Sequence, residues 1–224
     1  MVAMSKIEAQ DDLRRRILLG TLKPDEILEE SRFCAEYGLS RTPLREIFQR
    51  LSGVGYVTND HNSRPRVAAL DLHGFRSLVQ TGPMLLNAVV RQAAQFRGPT
   101  DIDPLHAQQT RMAEAIEQDD AQAAALAAHD FHAALGAASR NPYLDLCLTR
   151  LMIDVTRFSV DFYAPDKKKD RKALRKAIQT QNRLINAIEK GDAEASAEQV
   201  LIRWQLISDV LDRMARPDPL PIDL

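Results

Sequence analysis

Apolar residues recur at helical spacing along most of the chain, and they predict three helices before residue 55. The first helix covers Ile7 to Leu19 and ends at Gly20, and a second is predicted near Glu30 to Tyr37. A third helix starts in the segment SRTP and continues to Gly53. A tight turn therefore joins the second and third helices.

The third predicted helix has an apolar face and a polar stripe. Its apolar positions fall at i, i+3, i+4 and i+7, and they are Leu44, Ile47, Phe48 and Leu51. Thr42, Arg45 and Gln49 form an adjoining polar stripe, because each residue advances the helix by about 100°. Arg41 lies at the edge of this stripe, and Ser40 or Thr42 can cap the helix start. We expect the stripe to face outward.

Two short β-prone runs follow the third helix. They are YVT at residues 56–58 and RVAAL at residues 66–70, and the turn-forming segment NDHNS separates them. A small hairpin is the natural assignment. Three helices followed by a hairpin predict a winged helix-turn-helix domain over residues 1–70.

Beyond Asp71 the β-prone runs disappear and the composition turns to Ala, Leu, Gln and Arg. Helix-breaking segments recur in this part, namely RGPTD (97–101), SRNPY (139–143), YAPD (163–166) and KGDAE (190–194). They predict about six helices in an all-α bundle over residues 71–216, followed by a tail at 217–224. The predicted fold class is therefore mainly α, with a winged helix-turn-helix domain and a helical bundle.

The composition adds the class of protein and its compartment. The 224 residues are 45% hydrophobic and 27% charged, which is typical of a globular protein rather than a disordered one. The chain contains no apolar segment of the roughly 18 residues that a membrane span needs, and its start is too charged for a signal peptide. Cys34 and Cys147 lie far apart, which favours reduced thiols. We expect a cytoplasmic protein that does not bind a membrane.

The net charge of −1 conceals a local cluster of positive charge. Residues 39–66 hold two acidic residues, Glu46 and Asp60, against five arginines, namely Arg41, Arg45, Arg50, Arg64 and Arg66. A basic patch on an otherwise neutral protein indicates one anionic partner for one surface. A solvated face is the alternative, and charge by itself does not decide between them.

The segment GTLKPDEILEESRFCAEYGLSRTPLREIFQRLSGVGYV, residues 20–57, resembles the DNA-binding domain of the GntR superfamily, above all in its core SRTPLRE. The helical remainder, with HDFHAALGAASRNPYL (129–144) and LINAIEKGDAEAS (184–196), is similar to the FadR branch and its FCD effector domain. The resemblance implies a bacterial, cytoplasmic, dimeric transcription regulator. A small molecule, commonly an organic acid, would set its affinity for operator DNA, and repression is the commoner outcome in the family.

Some positions depart from the GntR pattern. Asp25 stands where glycine is usual, and Ile47 and Phe48 stand where alanine and leucine are usual. These changes are compatible with the fold. Arg64 stands about where the wing usually carries glycine, so it makes either a new phosphate contact or a differently shaped loop.

In a helix-turn-helix the N-terminal part of the second helix of the motif enters the major groove, where arginine can bind guanine through two hydrogen bonds. The backbone N–H groups at the same helix start can bind a phosphate. The wing can reach the minor groove or the backbone. Arg50, on the opposite polar edge, is interpreted as a surface ion pair with Glu46. The predicted DNA-binding residues are Ser40, Arg41, Thr42, Arg45, Gln49, His61, Arg64 and Arg66.

Many FCD domains hold a metal through an Asp-x-x-x-His pair and two later histidines. The corresponding positions here are Ala128, His132, Gln181 and Arg203. Only His132 remains a metal ligand, because a guanidinium has no lone pair to donate. We predict no metal at this site and no cofactor.

An arginine interrupts an apolar seam in the last predicted helix, which consists of Ser196, Val200, Arg203, Ile207, Val210 and Met214. A glutamine interrupts the seam of the preceding helix, which consists of Leu174, Ile178, Gln181, Ile185 and Ile188. A buried arginine is unfavourable unless an anion or several hydrogen bonds compensate it. The seam therefore indicates that Arg203 has an anionic partner or several hydrogen-bonding partners.

Two partners for Arg203 are possible. Asp154 could supply an internal carboxylate. Alternatively, an anionic effector binds to Arg203 while His132 and Gln181 donate hydrogen bonds to it, and Arg157 belongs to the same candidate site. His129 is expected to face solvent, because it points away from the apolar arc of its helix.

Two other functions are compatible with parts of this pattern. An enzyme is disfavoured, because the sequence shows no Ser/His/Asp triad pattern, no glycine-rich phosphate loop and no inward pair of carboxylates with a nucleophile. A constitutive DNA-binding protein with a vestigial pocket remains open, because the metal ligands are lost.

Overall fold

The computed structural model describes residues 3–59, 64–163 and 168–214. The first part contains α1 (Lys6–Leu18), α2 (Glu30–Tyr37), α3 (Arg41–Val54), β1 (Val57–Thr58) and β2 (Arg66–Val67). The second part contains α4 (Leu72–Phe96), α5 (Ile102–Glu117), α6 (Ala121–Ala138), α7 (Pro142–Ser159), a 3₁₀ turn (Val160–Tyr163), α8 (Lys168–Lys190) and α9 (Ala193–Met214). The predicted fold class is confirmed.

Local sequence signals set the ends of the first three helices. Ser5 and Glu8 form a reciprocal capping box at the start of α1, with Ser5 N donating to Glu8 Oε2 at 2.8 Å. Gly38 ends α2 with φ +67°, and Gly55 ends α3 with φ +99°. Glycine adopts these left-handed conformations without a steric penalty. The second helix therefore ends at Tyr37 as predicted, and α3 ends at Val54, one residue beyond the predicted end.

The hairpin packs on the helices as a small wing. Val57 pairs with Val67 and Thr58 with Arg66, in antiparallel register. Asp25 has φ +61°, and its backbone N–H donates to the Val67 carbonyl at 3.1 Å. A left-handed residue explains why glycine is usual at this position, and aspartate is one of the residues that tolerates it.

The apolar face predicted for α3 is buried. Leu44 and Ile47 are fully buried, and Phe33 of α2 makes an edge-to-face contact with Phe48 at 6.1 Å between ring centroids. This first core includes one residue from the second part of the chain, Ile153 of α7, which is also fully buried. The apolar face of α3 is thus fixed inward, and its polar stripe is left on the surface.

The six helices α4 to α9 form the second core. α4 packs along α9, and a Cβ atom added at Gly82 would overlap the Trp204 ring, so glycine is required at this crossing. The break between α5 and α6 was not located from the sequence. It forms because Asp119 adopts φ +55° and Asp120 caps α6 by accepting the Ala123 N–H at 2.9 Å.

Helix α7 joins the two parts of the molecule. Besides Ile153, its residue Arg157 donates to the Ala68 carbonyl beyond β2 at 2.6 Å. None of the helices in the described ranges has the length and apolar character needed to cross a membrane.

Candidate DNA-binding surface and effector cavity

The polar stripe of α3 lies on the surface, as predicted. Arg41, Thr42, Arg45 and Gln49 are all exposed, and Ser40, also exposed, occupies the N-cap position. The Ser40 side chain makes no capping hydrogen bond, so both the hydroxyl and the free N–H groups of the first turn are open to a ligand.

The wing places two more arginines on the surface. Arg64 donates to Glu29 at 2.9 Å, and Arg66 donates to the Asp25 carbonyl at 3.0 Å. Both guanidinium groups remain accessible, because both residues are exposed. The predicted contact His61 lies outside the described residues.

Sequence reasoning missed an acidic pair that lies between the wing and α3. Glu30 accepts two hydrogen bonds from Arg45, from Nε at 2.7 Å and from Nη2 at 3.0 Å, while Glu29 pairs with Arg64. The hydrogen bonds from Arg45 lower the pKa of Glu30 below its ordinary value, so the carboxylate stays charged. The acidic pair therefore occupies the same donors that a guanine edge or a phosphate would need.

The interpretation of Arg50 as a partner of Glu46 is wrong. Glu46 pairs with Lys6 of α1, and Arg50 is exposed on the opposite edge of α3. Helical spacing indicates which side chains share an edge, but it does not show that α1 brings a lysine to the same carboxylate.

Replacing Glu30 with glutamine is expected to strengthen DNA binding about three- to tenfold at low salt, because one negative charge opposite the phosphates disappears. Fluorescence anisotropy with a duplex that the wild type selects from a randomised pool measures the change. Glu36→Gln is the matched control, since Glu36 lies on the same helix but pairs with Arg16. Weaker or unchanged binding by Glu30→Gln would show that the acidic pair does not compete with DNA.

A small cavity lies among α6, α7, the 3₁₀ turn and α9. Its volume is about 10 Å³, which is about the space of one water molecule. Six residues provide polar side chains to its wall, namely His129, His132, Thr156, Ser159, Tyr163 and Arg203. A metabolite can enter only if the surrounding helices move apart.

Arg203 is the most unusual residue of this cavity. Its side chain is buried, with 5% of the residue exposed, and its Nε atom has no hydrogen-bond partner in the described residues. The hydroxyl of Tyr163 is its polar neighbour, and burial raises the pKa of that hydroxyl while the Arg203 charge opposes the rise. An unpaired donor on a buried cation is a costly arrangement that an anion would relieve.

The alternative partner, Asp154, is occupied elsewhere. It accepts from Arg150 at 2.7 Å and from Arg157 at 3.2 Å. In the described parts of the chain, no carboxylate forms an ion pair with Arg203. Asp154 is therefore not the internal carboxylate partner of Arg203.

His132 is buried as predicted, but it cannot donate as predicted. Its Nδ1 lies 2.6 Å from the Ala128 carbonyl, which can only accept, so the ring hydrogen sits on Nδ1. Burial, and then the Arg203 charge, lower the pKa of His132 to about 3, so the ring is neutral. Its Nε2 therefore accepts a hydrogen bond from a ligand rather than donating one.

Gln181 and Arg157 lie outside the cavity wall. Gln181 is fully buried, and neither of its amide atoms has a partner within the described residues. The Arg157 side chain is 3% exposed and binds Asp154 and the Ala68 carbonyl. Thr156, one position earlier and about 100° around α7, takes the place that Arg157 was expected to fill.

The prediction that His129 faces solvent is wrong. The residue is 5% exposed, and its ring lies between Thr156 of α7 and Tyr56 of the first core. The α6 sequence is so rich in alanine that its apolar arc does not reveal the second buried face, which the other domain covers.

Two family models match the chain in the order that this architecture requires. Residues 6–67 match the model described as bacterial regulatory proteins, gntR family, and residues 83–203 match the FCD domain. The chain belongs to the GntR family of regulators that carry an FCD domain. GntR proteins are DNA-binding transcription regulators rather than enzymes. None of the curated proteins matches the chain.

Solved structures show the same GntR fold. E. coli McbR/YncC has a TM-score of 0.78 at 20% identity, covering 96% of this chain and 100% of that chain. A GntR structure from Rhodococcus sp. RHA1 has a TM-score of 0.67 at 20% identity, with 95% and 99% covered. Lar, described as controlling the Listeria monocytogenes agr system, has a TM-score of 0.61 at 21% identity, with 96% and 99% covered.

The metal site expected of many FCD domains does not fit the residues of this GntR protein. Ala128 and Arg203 stand at two of the ligand positions, and both offer no lone pair to a metal. Within residues 3–59, 64–163 and 168–214, no three His, Cys, Asp or Glu side chains are grouped so that they could hold a metal ion.

Proposed function

We propose that the protein is a ligand-responsive transcription regulator, most simply a repressor, which binds operator DNA as a homodimer in the cytoplasm. A small anionic metabolite would bind in the cavity and change the affinity for DNA. Residues 1–70 would bind DNA, residues 71–216 would bind the effector and form the dimer, and residues 217–224 would be a tail. It has no enzymatic activity in this proposal.

The buried cation Arg203 with its unpaired Nε carries this proposal. Burial of this group carries a desolvation cost, which charge-assisted binding of a carboxylate would offset. The guanidinium offers a planar pair of donors that matches a carboxylate or a phosphate. Tyr163 lies beside it with a hydroxyl that can add a further hydrogen bond.

The neutral His132 narrows the chemistry of the effector. Because its Nε2 can only accept, the ligand should carry a hydrogen-bond donor as well as an anionic group. A hydroxyl beside a carboxylate satisfies both requirements. A small 2-hydroxy acid therefore fits the polar groups of the wall better than a simple fatty acid of the same length.

The DNA side of the proposal rests on the exposed stripe of α3 and the two wing arginines. A single helix-turn-helix contacts only one half-site, and a two-fold dimer places two α3 helices about one helical turn of DNA apart. Arg45 and Arg41 are proposed to read base edges. Ser40, Thr42, Gln49, Arg64 and Arg66 are proposed to contribute phosphate or flanking contacts, with His61 in the wing.

Lactate is expected to raise the melting temperature of the wild type by a few degrees at saturating concentration, because a ligand that binds only the folded state adds stability. Propionate, which lacks only the hydroxyl, should give a clearly smaller shift. Arg203→Met should abolish both shifts and still fold, since removal of a buried unpaired charge is tolerated. Arg183→Met, at an exposed position of α8, is the control and should respond like the wild type.

The same ligands should change binding to the selected duplex in anisotropy experiments. An equal response of wild type and Arg203→Met would contradict the anion site.

The second candidate, a constitutive DNA-binding protein, is favoured by the small size of the cavity, about 10 Å³. It predicts tight binding to the duplex with no effect of any carboxylate.

A further inference from the structure

A buried hydrogen bond crosses from the cavity to the winged helix-turn-helix domain. The hydroxyl of Tyr56 lies 3.3 Å from Nε2 of His129. Tyr56 is 2% exposed and His129 is 5% exposed, so water does not compete for this bond. Arg14 of α1 donates to the same hydroxyl from Nε, at 3.4 Å. Together with Thr156 these residues form a polar bridge between the two domains.

The partners fix the direction of every hydrogen bond in the bridge. Thr156 donates its single hydroxyl hydrogen to the Met152 carbonyl at 2.7 Å. Its oxygen can therefore only accept from Nδ1 of His129, at 2.9 Å. The ring hydrogen of His129 is therefore on Nδ1, and Nε2 carries a lone pair. Tyr56 must then donate to Nε2 while its oxygen accepts from Arg14.

One end of the bridge lies in the wall of the cavity, and the other end lies where α3 stops. Thr156 and His129 both line the cavity that contains Arg203. Tyr56 directly follows Gly55, the residue that ends α3, and its carbonyl accepts the Ala68 N–H at 2.9 Å beside the wing. The bridge thus runs from the wall of the cavity to the junction of α3 and the hairpin.

We propose that the bridge transmits occupancy of the cavity to the winged helix-turn-helix domain, with His129 and Tyr56 as the residues that set the size of the response. The proposal rests on the proposed effector binding and names its route. A ligand that displaces Thr156, or whose charge favours uptake of a proton from solvent at Nε2, leaves the Tyr56 hydroxyl without its buried acceptor, and the domain contact must then rearrange.

The charges around His129 make this step possible. Burial, and then the charge of Arg14, lower the pKa of His129 to about 4, so the ring is neutral in the free protein. Arg203 and Tyr163 face the same cavity from α9 and the 3₁₀ turn. The negative charge of an anion bound there opposes the lowering of the His129 pKa by Arg14, and it favours the ring form that carries hydrogen on both nitrogens.

A double-mutant cycle without any ligand tests the bridge. Thr156→Val and Tyr56→Phe each remove one hydroxyl and keep the volume, and affinity for the selected duplex is measured for both variants and the double variant. In the wild-type background, we expect Thr156→Val to change the affinity for the duplex about fivefold or more. In the Tyr56→Phe background, the same substitution should change it less than about twofold. Thr156→Ser, which keeps the hydroxyl, should behave as the wild type.

Ser159→Ala is the matched control, because Ser159 is another hydroxyl of the cavity wall and donates to the Thr156 carbonyl rather than to His129. Its effect should be the same with and without Tyr56→Phe. If the effects of Thr156→Val and Tyr56→Phe are also independent, the bridge transmits nothing and the proposal is overturned.

Lactate separates this inference from the proposed function. Calorimetry should show that Tyr56→Phe still binds lactate within about threefold of the wild type, while the effect of lactate on DNA binding is lost. An undiminished effect in Tyr56→Phe would overturn the bridge and leave the anion site intact. Failure of lactate to bind the wild type would count against the anion site, and the ligand-free cycle would still decide the bridge.

Discussion

At pH 5 the free energy of unfolding is expected to be about 4 kcal/mol lower than at pH 7.5, with His129 and His132 each responsible for about half. Burial lowers the pKa of His129 to about 4 and that of His132 to about 3, whereas both titrate near 6.5 in the unfolded chain. The unfolded state therefore binds more protons between pH 7 and pH 4. The stabilisation that these two neutral histidines contribute is present above pH 6.5 and is lost as the pH falls towards 4.

Urea unfolding at a series of pH values measures this loss. His129→Gln and His132→Gln should each remove about half of the pH dependence, although both variants will be less stable than the wild type at pH 7.5. His73→Gln, at an exposed position near the start of α4, is the control. If either buried-site variant keeps the full pH dependence of the wild type, that ring is charged or accessible in the folded protein.

Arg45→Ala is expected to weaken binding to the selected duplex by about 10- to 100-fold for each half-site, because a two-point contact to guanine contributes about 1–3 kcal/mol. The Arg45 side chain is 61% exposed on the polar stripe of α3, and its planar pair of donors is already held in a two-point contact by Glu30. Circular dichroism and melting should change little, since the side chain makes no core contact.

Two further variants show whether Arg45 reads bases or only adds charge. Arg45→Lys keeps the charge but loses the planar donors, so binding to random DNA should be retained while preference for the selected duplex falls. Arg50→Ala, on the opposite edge of the same helix, should change affinity by less than about threefold. Equal losses for Arg45→Ala and Arg50→Ala would place the DNA contact elsewhere.

The sequence predicted the exposed polar stripe of α3 correctly, because its position depends on local rules. The outward stripe of α3 follows from the period of one helix, and the ends of α2 and α3 follow from Gly38 and Gly55. Burial of Arg203 could be predicted for the same reason. In each case the evidence lies within one helix and its two ends.

The predictions that were wrong depend on contacts between distant elements. His129 is buried because Tyr56 of the other domain covers it, and no periodicity within α6 reports that. The role of His132 as an acceptor follows from the placement of one ring nitrogen against the Ala128 carbonyl. Glu30 could have been suspected from its charge, but its pairing with Arg45 requires the packing of α2 on α3.

The position of Ile153 limits how this protein can exchange parts with its relatives. This residue of α7 is fully buried in the core of the DNA-binding domain, so that domain is not complete at the end of its own sequence. A chimera that joins residues 1–70 to another effector domain would leave an apolar hole unless the new helix supplied an aliphatic side chain there. A chimera that folds should therefore keep α7 together with the first domain. Among relatives, α7 and the first domain would vary together rather than as independent modules.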